Sequence, residues 1–292
     1  MAEVVLAVDV GGTKIALAAV DADGSVLAED LRPTLPAADP EAVLAPLRVG
    51  IASAGPVDGP AGTVSPVNIG AWRGFPLVAR VAAHVRQVTG RRPVVGLAGD
   101  GHCFALGEHW LGAGRDVDSM VGVVLSTGVG GGAVLGGRLF GGRTGNAVHL
   151  GHISVNAWGP RCVCEGHGCV EMYARGPALV AAARARGWVG GDDAGALTRD
   201  ARSGDAVALA VVDEGMRALA AGIATTATEL DVTTFVLGGG VSRAGEVVFE
   251  PLRRHLRDFA TLPYVAGIEV RPALLDNAGL LGAAALALTL EP

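Results

Sequence analysis

The stretch from His149-Leu-Gly-His152 through Cys162-Val-Cys164-Glu-Gly-His-Gly-Cys169-Val-Glu171 constrains this chain more than any other. It gathers three of the four cysteines, three histidines and two carboxylates, with glycines where the backbone must bend sharply. A Cys-x-Cys pair, a third Cys five residues on and an upstream His are the ligand set of a closed tetrahedral Zn²⁺ site. Such a metal is structural, because no coordination position is left for water. It would pin the loop and aim His152 and Glu171. His149 and His167 compete with His152 for the fourth place. The rival reading, three unrelated buried thiols in a reducing compartment, fits the dense spacing less well.

At 292 residues the chain exceeds one ordinary core, and two domains are expected. Half of it is apolar, yet no apolar run reaches the ~20 residues of a membrane span. The opening residues lack the basic region and cleavage site of a signal peptide, so a cytoplasmic protein is expected. A net charge of −6, with no basic run longer than Arg253-Arg254-His255, argues against a nucleic-acid partner.

Val4 to Val8 reads as a strand ending at Asp9, followed by Gly11-Gly12-Thr13-Lys14 and a second strand from Ile15. This is a hairpin whose turn could offer N–H groups and a hydroxyl to phosphate, with Asp9 placed for hydrated Mg²⁺. It is not a Walker A loop, since a strand follows rather than a helix. Strands are further expected at Val26–Leu31, Leu47–Ala52 and Val94–Ala98, with a short helix over Glu41–Pro46 and a longer one over Phe75–Val88. The last of these strands delivers Asp100 to the start of a helix over His102–Leu111. Strand ends of that kind bind ligands in α/β folds, although a carboxylate there also caps helices. Met120–Leu125, Ser126-Thr127-Gly128-Val-Gly130-Gly131-Gly132 and Ala133-Val-Leu repeat the opening design. Two such hairpins suggest a duplicated fold with a cleft between its halves. Helices follow over Pro177–Arg186 and Ala206–Leu230, with Gly190–Gly195 a loop. Thr234–Leu237 is a strand leading into Gly238-Gly239-Gly240-Val241-Ser242 and a helix. An apolar helix over Leu280–Leu288 closes the chain and needs a surface to cover.

Taken together, these elements resemble the sugar-kinase family called ROK, within the actin-like (ribonuclease H-like) ATPase fold, over nearly the whole length. The resemblance rests on Asp9-Val-Gly-Gly-Thr-Lys14, Gly99-Asp100, Ser-Thr127-Gly-Val-Gly-Gly-Gly132, Gly151-His152 with Cys162, Cys164, Cys169 and Glu171, and Leu237-Gly-Gly-Gly-Val241. It is greatest to bacterial glucokinases. It implies a two-lobed α/β protein with residues 1–117 plus 276–292 as the small lobe and 118–275 as the large one. It also implies ATP and Mg²⁺ as cofactors beside the structural Zn²⁺, and a homodimer. Asp100 would be the catalytic base, taking the proton of a hexose 6-hydroxyl. Asp9, Gly11, Gly12, Thr13, Lys14, Thr127 and Gly128 would hold phosphate and Mg²⁺, and Gly239, Gly240, Val241 and Ser242 the adenosine. Asn68, Gly99, Asp100, His149, His152 and Glu171 would line the sugar site.

Three departures from the family pattern stand out. The usual Glu-Asn-Asp-Ala-Asn around the base is Ala98-Gly99-Asp100-Gly101-His102 here, so the asparagine that grips the sugar is missing at Gly99. His149 stands where a sugar-binding glutamate is usual. The helix between the third and fourth strands is short. Each lost sugar hydrogen bond costs about 1–3 kcal/mol where its partner is left unpaired. The pattern therefore points to a glucose-like hexose altered around C2 to C4, an amino sugar such as kanosamine being one candidate. The alternatives are an ordinary glucokinase and a catalytically silent sugar-binding regulator. A repressor would carry a DNA-binding segment ahead of Asp9, where only eight residues precede it.

Overall fold

The computed structural model describes residues 4–11, 14–33, 48–67, 69–90 and 92–290. The expected helix over Glu41–Pro46 lies outside them. The chain begins with β1 (Val4–Val10), β2 (Lys14–Asp21), β3 (Val26–Pro33) and β4 (Arg48–Ser53), then a small hairpin of β5 (Val57–Asp58) and β6 (Thr63–Val64). Next come α1 (Leu77–Thr89), β7 (Val94–Gly99) and α2 (Asp100–Leu111). β8 (Met120–Leu125), β9 (Val129–Leu135) and β10 (Arg138–Phe140) follow, then α3 (Glu171–Ala174), α4 (Gly176–Ala185), α5 (Ala194–Arg202) and α6 (Ala206–Leu230). β11 (Thr234–Gly238), α7 (Glu246–Phe259), β12 (Glu269–Pro272) and α8 (Ala278–Leu288) complete it.

Two compact units result, one of residues 1–118, 132–147 and 274–292, the other of 119–131 and 148–273. Residues 132–147 were expected in the second unit and group with the first. The reason is local bonding: Gly59 N–H donates to the Thr144 carbonyl at 2.8 Å, and Val57 N–H to Asn146 Oδ1 at 3.0 Å. The described residues form two five-stranded sheets of the same design. The first has the order β3-β2-β1-β4-β7, the second β10-β9-β8-β11-β12. In the first, β1 pairs antiparallel with β2 and parallel with β4. In the second, β11 runs parallel to both β8 and β12. The chain passes from one unit to the other within β9.

β1 is apolar at nearly every position because both its faces are covered, as expected of a parallel neighbourhood. Val5 and Ala7 face a cluster with Leu280, Ala283 and Ala284 of α8, whereas Leu6, Val8 and Val10 face Leu77, Val81 and Val85 of α1. The α8 side is built from small residues so that backbones can touch. A Cβ on Gly282 would overlap the Cys103 carbonyl of α2, and one on Gly107 would overlap that of Ala278. α8 thus finds its surface in the first unit. Gly282→Ala is expected to lower stability by about 3 kcal/mol or more, because backbone rather than a flexible side chain must give way. Urea unfolding would show it, with Gly267→Ala, where the space is open, as the neutral control.

Glu108 ties this packing to the loops. Fully buried, it accepts from Ala113 N–H at 2.8 Å, Leu275 N–H at 2.9 Å and Leu274 N–H at 3.2 Å. One carboxylate therefore joins the end of α2 to the chain entering α8. Among the described residues, no helix is long and apolar enough to cross a membrane.

Candidate active site

In the first unit, β1 delivers Asp9 to the edge of the β1–β2 turn, which Gly11 N–H closes by donating to the Lys14 carbonyl at 2.9 Å. Gly12, Thr13 and Asn68 lie outside the described residues. Asp9 Oδ2 faces the first turn of α8, and a Cβ on Gly279 would stand 3.2 Å from it. Burial, then the neighbouring Asp100 carboxyl, push Asp9 up to about 6 from 3.8, with Lys14 opposing. Two acids in one low-dielectric place suit a bound cation.

The shift fixes a sign. The folded protein keeps this proton between pH 3.8 and about 6, where the unfolded chain has released it. The group's contribution to stability is therefore full below 3.8 and lost as pH rises through 6. Asp9→Asn removes the buried charge. Without divalent cations, urea unfolding at neutral pH should find it more stable than wild type by about 1–3 kcal/mol, the gain vanishing below pH 4.

Asp100 does not cap α2. Gly99 is the N-cap residue, and Asp100 is the first residue of the helix, its Oδ1 accepting from Gly101 N–H at 2.7 Å. The residue keeps an accessible surface. Surrounding protein nonetheless raises its carboxyl through desolvation, against the Gly101 bond. Beside it, the buried His102 imidazole fills the space at Gly99, where an added Cβ would stand 3.0 Å from Nδ1.

In the second unit, the glycine-rich turn is shorter than the sequence suggests. β9 begins at Val129 and takes up Gly130, Gly131 and Gly132, none with positive φ. Their smallness serves close approach instead: a Cβ on Gly131 would stand 2.8 Å from the Val148 carbonyl. The turn proper is Ser126-Thr127-Gly128.

His152, Cys162, Cys164 and Cys169 converge, their ligand atoms all lying within 4.8 Å of one another. Cys164 Sγ is 3.6 Å from Cys169 Sγ, and Cys162 Sγ is 3.7 Å from His152 Nδ1. Four ligands at about 2.0–2.3 Å from one tetrahedral Zn²⁺ stand about 3.5–3.8 Å apart, so the donors fit that ion. The sulfurs are too far apart for a disulfide. Burial, then Cys164 and Cys162, push the Cys169 thiol up to about 12, a penalty that a dication reverses. His167 is outside the cluster, its Nδ1 3.2 Å from the Gly159 carbonyl.

Glu171 opens α3 two residues after Cys169, so whatever holds the cysteines places this carboxylate. Its Oε2 accepts from Val129 N–H at 3.0 Å, beneath the Thr127 turn. His149 precedes the short helical turn that carries His152, the two rings 6.1 Å apart. Burial and then His152 lower its proton affinity, against Glu171, leaving a neutral imidazole at pH 7.

A cavity of about 680 Å³ extends from Ser126 and Thr127 to Gly240 and Val241. Val180, Ala181 and Ala194 give it an apolar wall, and Arg184, Asp193 and Arg199 add polar groups. Of the four residues expected at a nucleoside, Gly240 and Val241 line it. Gly239 adopts φ +96°, where a side chain would be strained, and the buried Ser242 hydroxyl donates back to its carbonyl at 2.8 Å. Sequence reasoning missed α5, which supplies Ala194 and Arg199. The signal was Asp193, whose carboxylate caps the helix by accepting from Ala196 N–H at 2.7 Å.

The ROK family profile matches residues 5–290. The chain belongs to the ROK family. It is 35% identical to a glucokinase of Thermotoga maritima over 311 aligned residues, covering 96% of each chain. To an N-acetylmannosamine kinase of Shigella flexneri it is 36% identical over 297 aligned residues, covering 97% of this chain and 98% of that one. Among solved structures, a ROK family glucokinase from Streptomyces griseus in complex with glucose and AMPPNP superposes with a TM-score of 0.80 at 35% identity, covering 98% and 99% of the two chains. The two matching sheets of this ROK protein are accordingly those of the actin-like α/β fold.

Proposed function

We propose that this ROK protein is an ATP-dependent kinase acting on the 6-hydroxyl of a glucose-like hexose that carries a substituent around C2 to C4, an amino sugar such as kanosamine being a candidate. The observation that carries the reading is Asp100: an accessible carboxyl, raised by its surroundings, with Oδ1 held by the Gly101 amide at a helix start. Such a group is poised to take an alcohol's proton while the oxygen attacks phosphorus. Relatives of both kinds, glucokinase and N-acetylmannosamine kinase, support a sugar acceptor.

The Thr127 turn and the cavity reaching Val241 suit a nucleotide, with the apolar wall against its base. Asp9 would hold Mg²⁺, which when bound neutralises phosphate charge, and Lys14 lies close enough to lower Asp9's proton affinity. Gly11, Gly12, Thr13 and Gly128 are assigned to the phosphates, and Gly239 and Ser242 shape the loop at the adenosine. Zn²⁺ held by His152 and the three cysteines would brace Glu171. In this reading Asn68, His149, His152 and Glu171 are assigned to sugar hydroxyls. A neutral His149 both donates and accepts, unlike a carboxylate, and Gly99 offers no side chain, which is why an altered hexose is favoured. The working form is a cytoplasmic homodimer.

The test is a panel of glucose, N-acetylmannosamine, kanosamine and other C2- and C3-modified hexoses with ATP, each product located by mass shift and phosphorus coupling. A modified hexose should give the best kcat/KM. Glucose preferred by a wide margin would make the protein an ordinary glucokinase, and turnover of no hexose would end the kinase reading.

A further inference from the structure

One cation of the second unit is built in beside the Thr127 turn without a full set of partners. Arg175 is the N-cap residue of α4, whose first amide, Gly176 N–H, donates to the Ser126 carbonyl at 2.8 Å. Arg175 is therefore fastened by its backbone to the turn. Its side chain, 28% exposed, places Nη1 3.7 Å from Glu171 Oε1, too long for a hydrogen bond. Its Nε is buried and has no hydrogen-bond partner among the described residues. The other oxygen of Glu171 takes Val129 N–H and lies 2.9 Å from where a Cβ on Gly128 would be. Turn, carboxylate and guanidinium thus form one contiguous layer.

The rest of the turn is uncharged. Thr127 and Gly128 offer neutral donors only, and the first amide of α4 is already used. Arg184, which lines the cavity as Arg175 does not, stands eight residues beyond Gly176, about 12 Å down the helix axis, and is engaged by Asp192. A planar fork with spare donors beside a neutral anion-binding turn is matched to phosphate oxygens, which it engages in pairs.

We propose that Arg175 contacts the terminal phosphate of the nucleotide and neutralises charge on it during transfer, with Glu171 steering the guanidinium. The inference rests on the kinase reading above. In the transfer, the bond between the terminal phosphorus and its bridging oxygen breaks and leaves a nucleoside diphosphate. The sugar oxygen forms the new bond to phosphorus, and its proton passes to Asp100. Arg175 loses no proton and takes part only through its donors.

The experiment compares Arg175→Gln and Arg175→Lys with wild type in the full-length, zinc-loaded protein. Arg175→Gln should lower kcat about 100-fold or more, with part of the loss restored by added guanidinium ion, and Arg175→Lys should fall between. By calorimetry with Mg²⁺, Arg175→Gln should bind a non-hydrolysable ATP analogue about 10-fold more weakly while AMP affinity and Tm stay unchanged. A kcat within about three-fold of wild type would overturn the proposal. So would a loss confined to sugar affinity, or a joint loss of AMP binding and Tm, which would make Arg175 a brace for Glu171. If wild type phosphorylates no hexose, the kinase reading fails, and the ATP-analogue against AMP comparison still decides the contact.

Discussion

Asp100→Asn is expected to lower kcat about 10²- to 10⁴-fold while nucleotide affinity changes little. The amide oxygen can keep the bond from Gly101 N–H, so the start of α2 should stay intact and the loss should report chemistry. The residue is the first of α2, and Gly99 performs no side-chain capping. Stability therefore does not depend on a cap at this position, and Tm should not fall. Desolvation raises the carboxyl above its ordinary 3.8, which makes it a stronger base but protonates it at a higher pH. Wild-type kcat/KM should accordingly fall on the acid side as Asp100 and Asp9 take up protons, Asp9 near pH 6. Activity of Asp100→Asn within ten-fold of wild type would remove the assigned base.

Cys169→Ala is expected to give the largest structural effect: loss of bound zinc, a Tm lower by many degrees and a raised KM for the sugar. Apparent binding energies of structural Zn²⁺ in small domains reach about 10–16 kcal/mol, so a missing ligand is felt even where the surrounding unit stays folded. Without the ion, the stretch from Ile153 to Val170 keeps a few backbone ties, such as Val155 N–H to the Gly168 carbonyl at 2.9 Å. Those ties, with the Val129 N–H bond to Glu171 Oε2, must then hold the carboxylate. Metal content by atomic absorption, with thermal melts before and after chelation, checks this. Protein that purifies without zinc and melts unchanged in chelator would remove the metal from the account.

The parts legible in the sequence were those whose residues act locally. The cysteine spacing and the β1–β2 hairpin needed only neighbours in the chain, and so did the apolar closing helix. Other features depended on distant partners. Gly130 to Gly132 looked like turn residues because glycine supplies both sharp bends and close approach, and only the packed structure shows that β9 uses the second property. α5 was hidden because its apolar positions are few and its cap, Asp193, sits in a run that reads as loop. Glu108 gave no signal at all, since its three donors come from residues 113, 274 and 275. His102 departs from the family pattern in the sequence itself, but its filling of the space at Gly99 is a fact of packing.

The return of α8 to the first unit has a bearing on how this protein is made. Residues 1–118 leave the ribosome first, yet the face of β1 bearing Val5 and Ala7 waits for Leu280, Ala283 and Ala284, more than 150 positions later. Residues 148–273 are complete before that helix is synthesised, and can fold while the earlier portion is still uncovered. Nascent chains arrested before position 274 should therefore show protease protection in the later-made portion and cleavage in the earlier one, with chaperones drawn to the waiting apolar sheet.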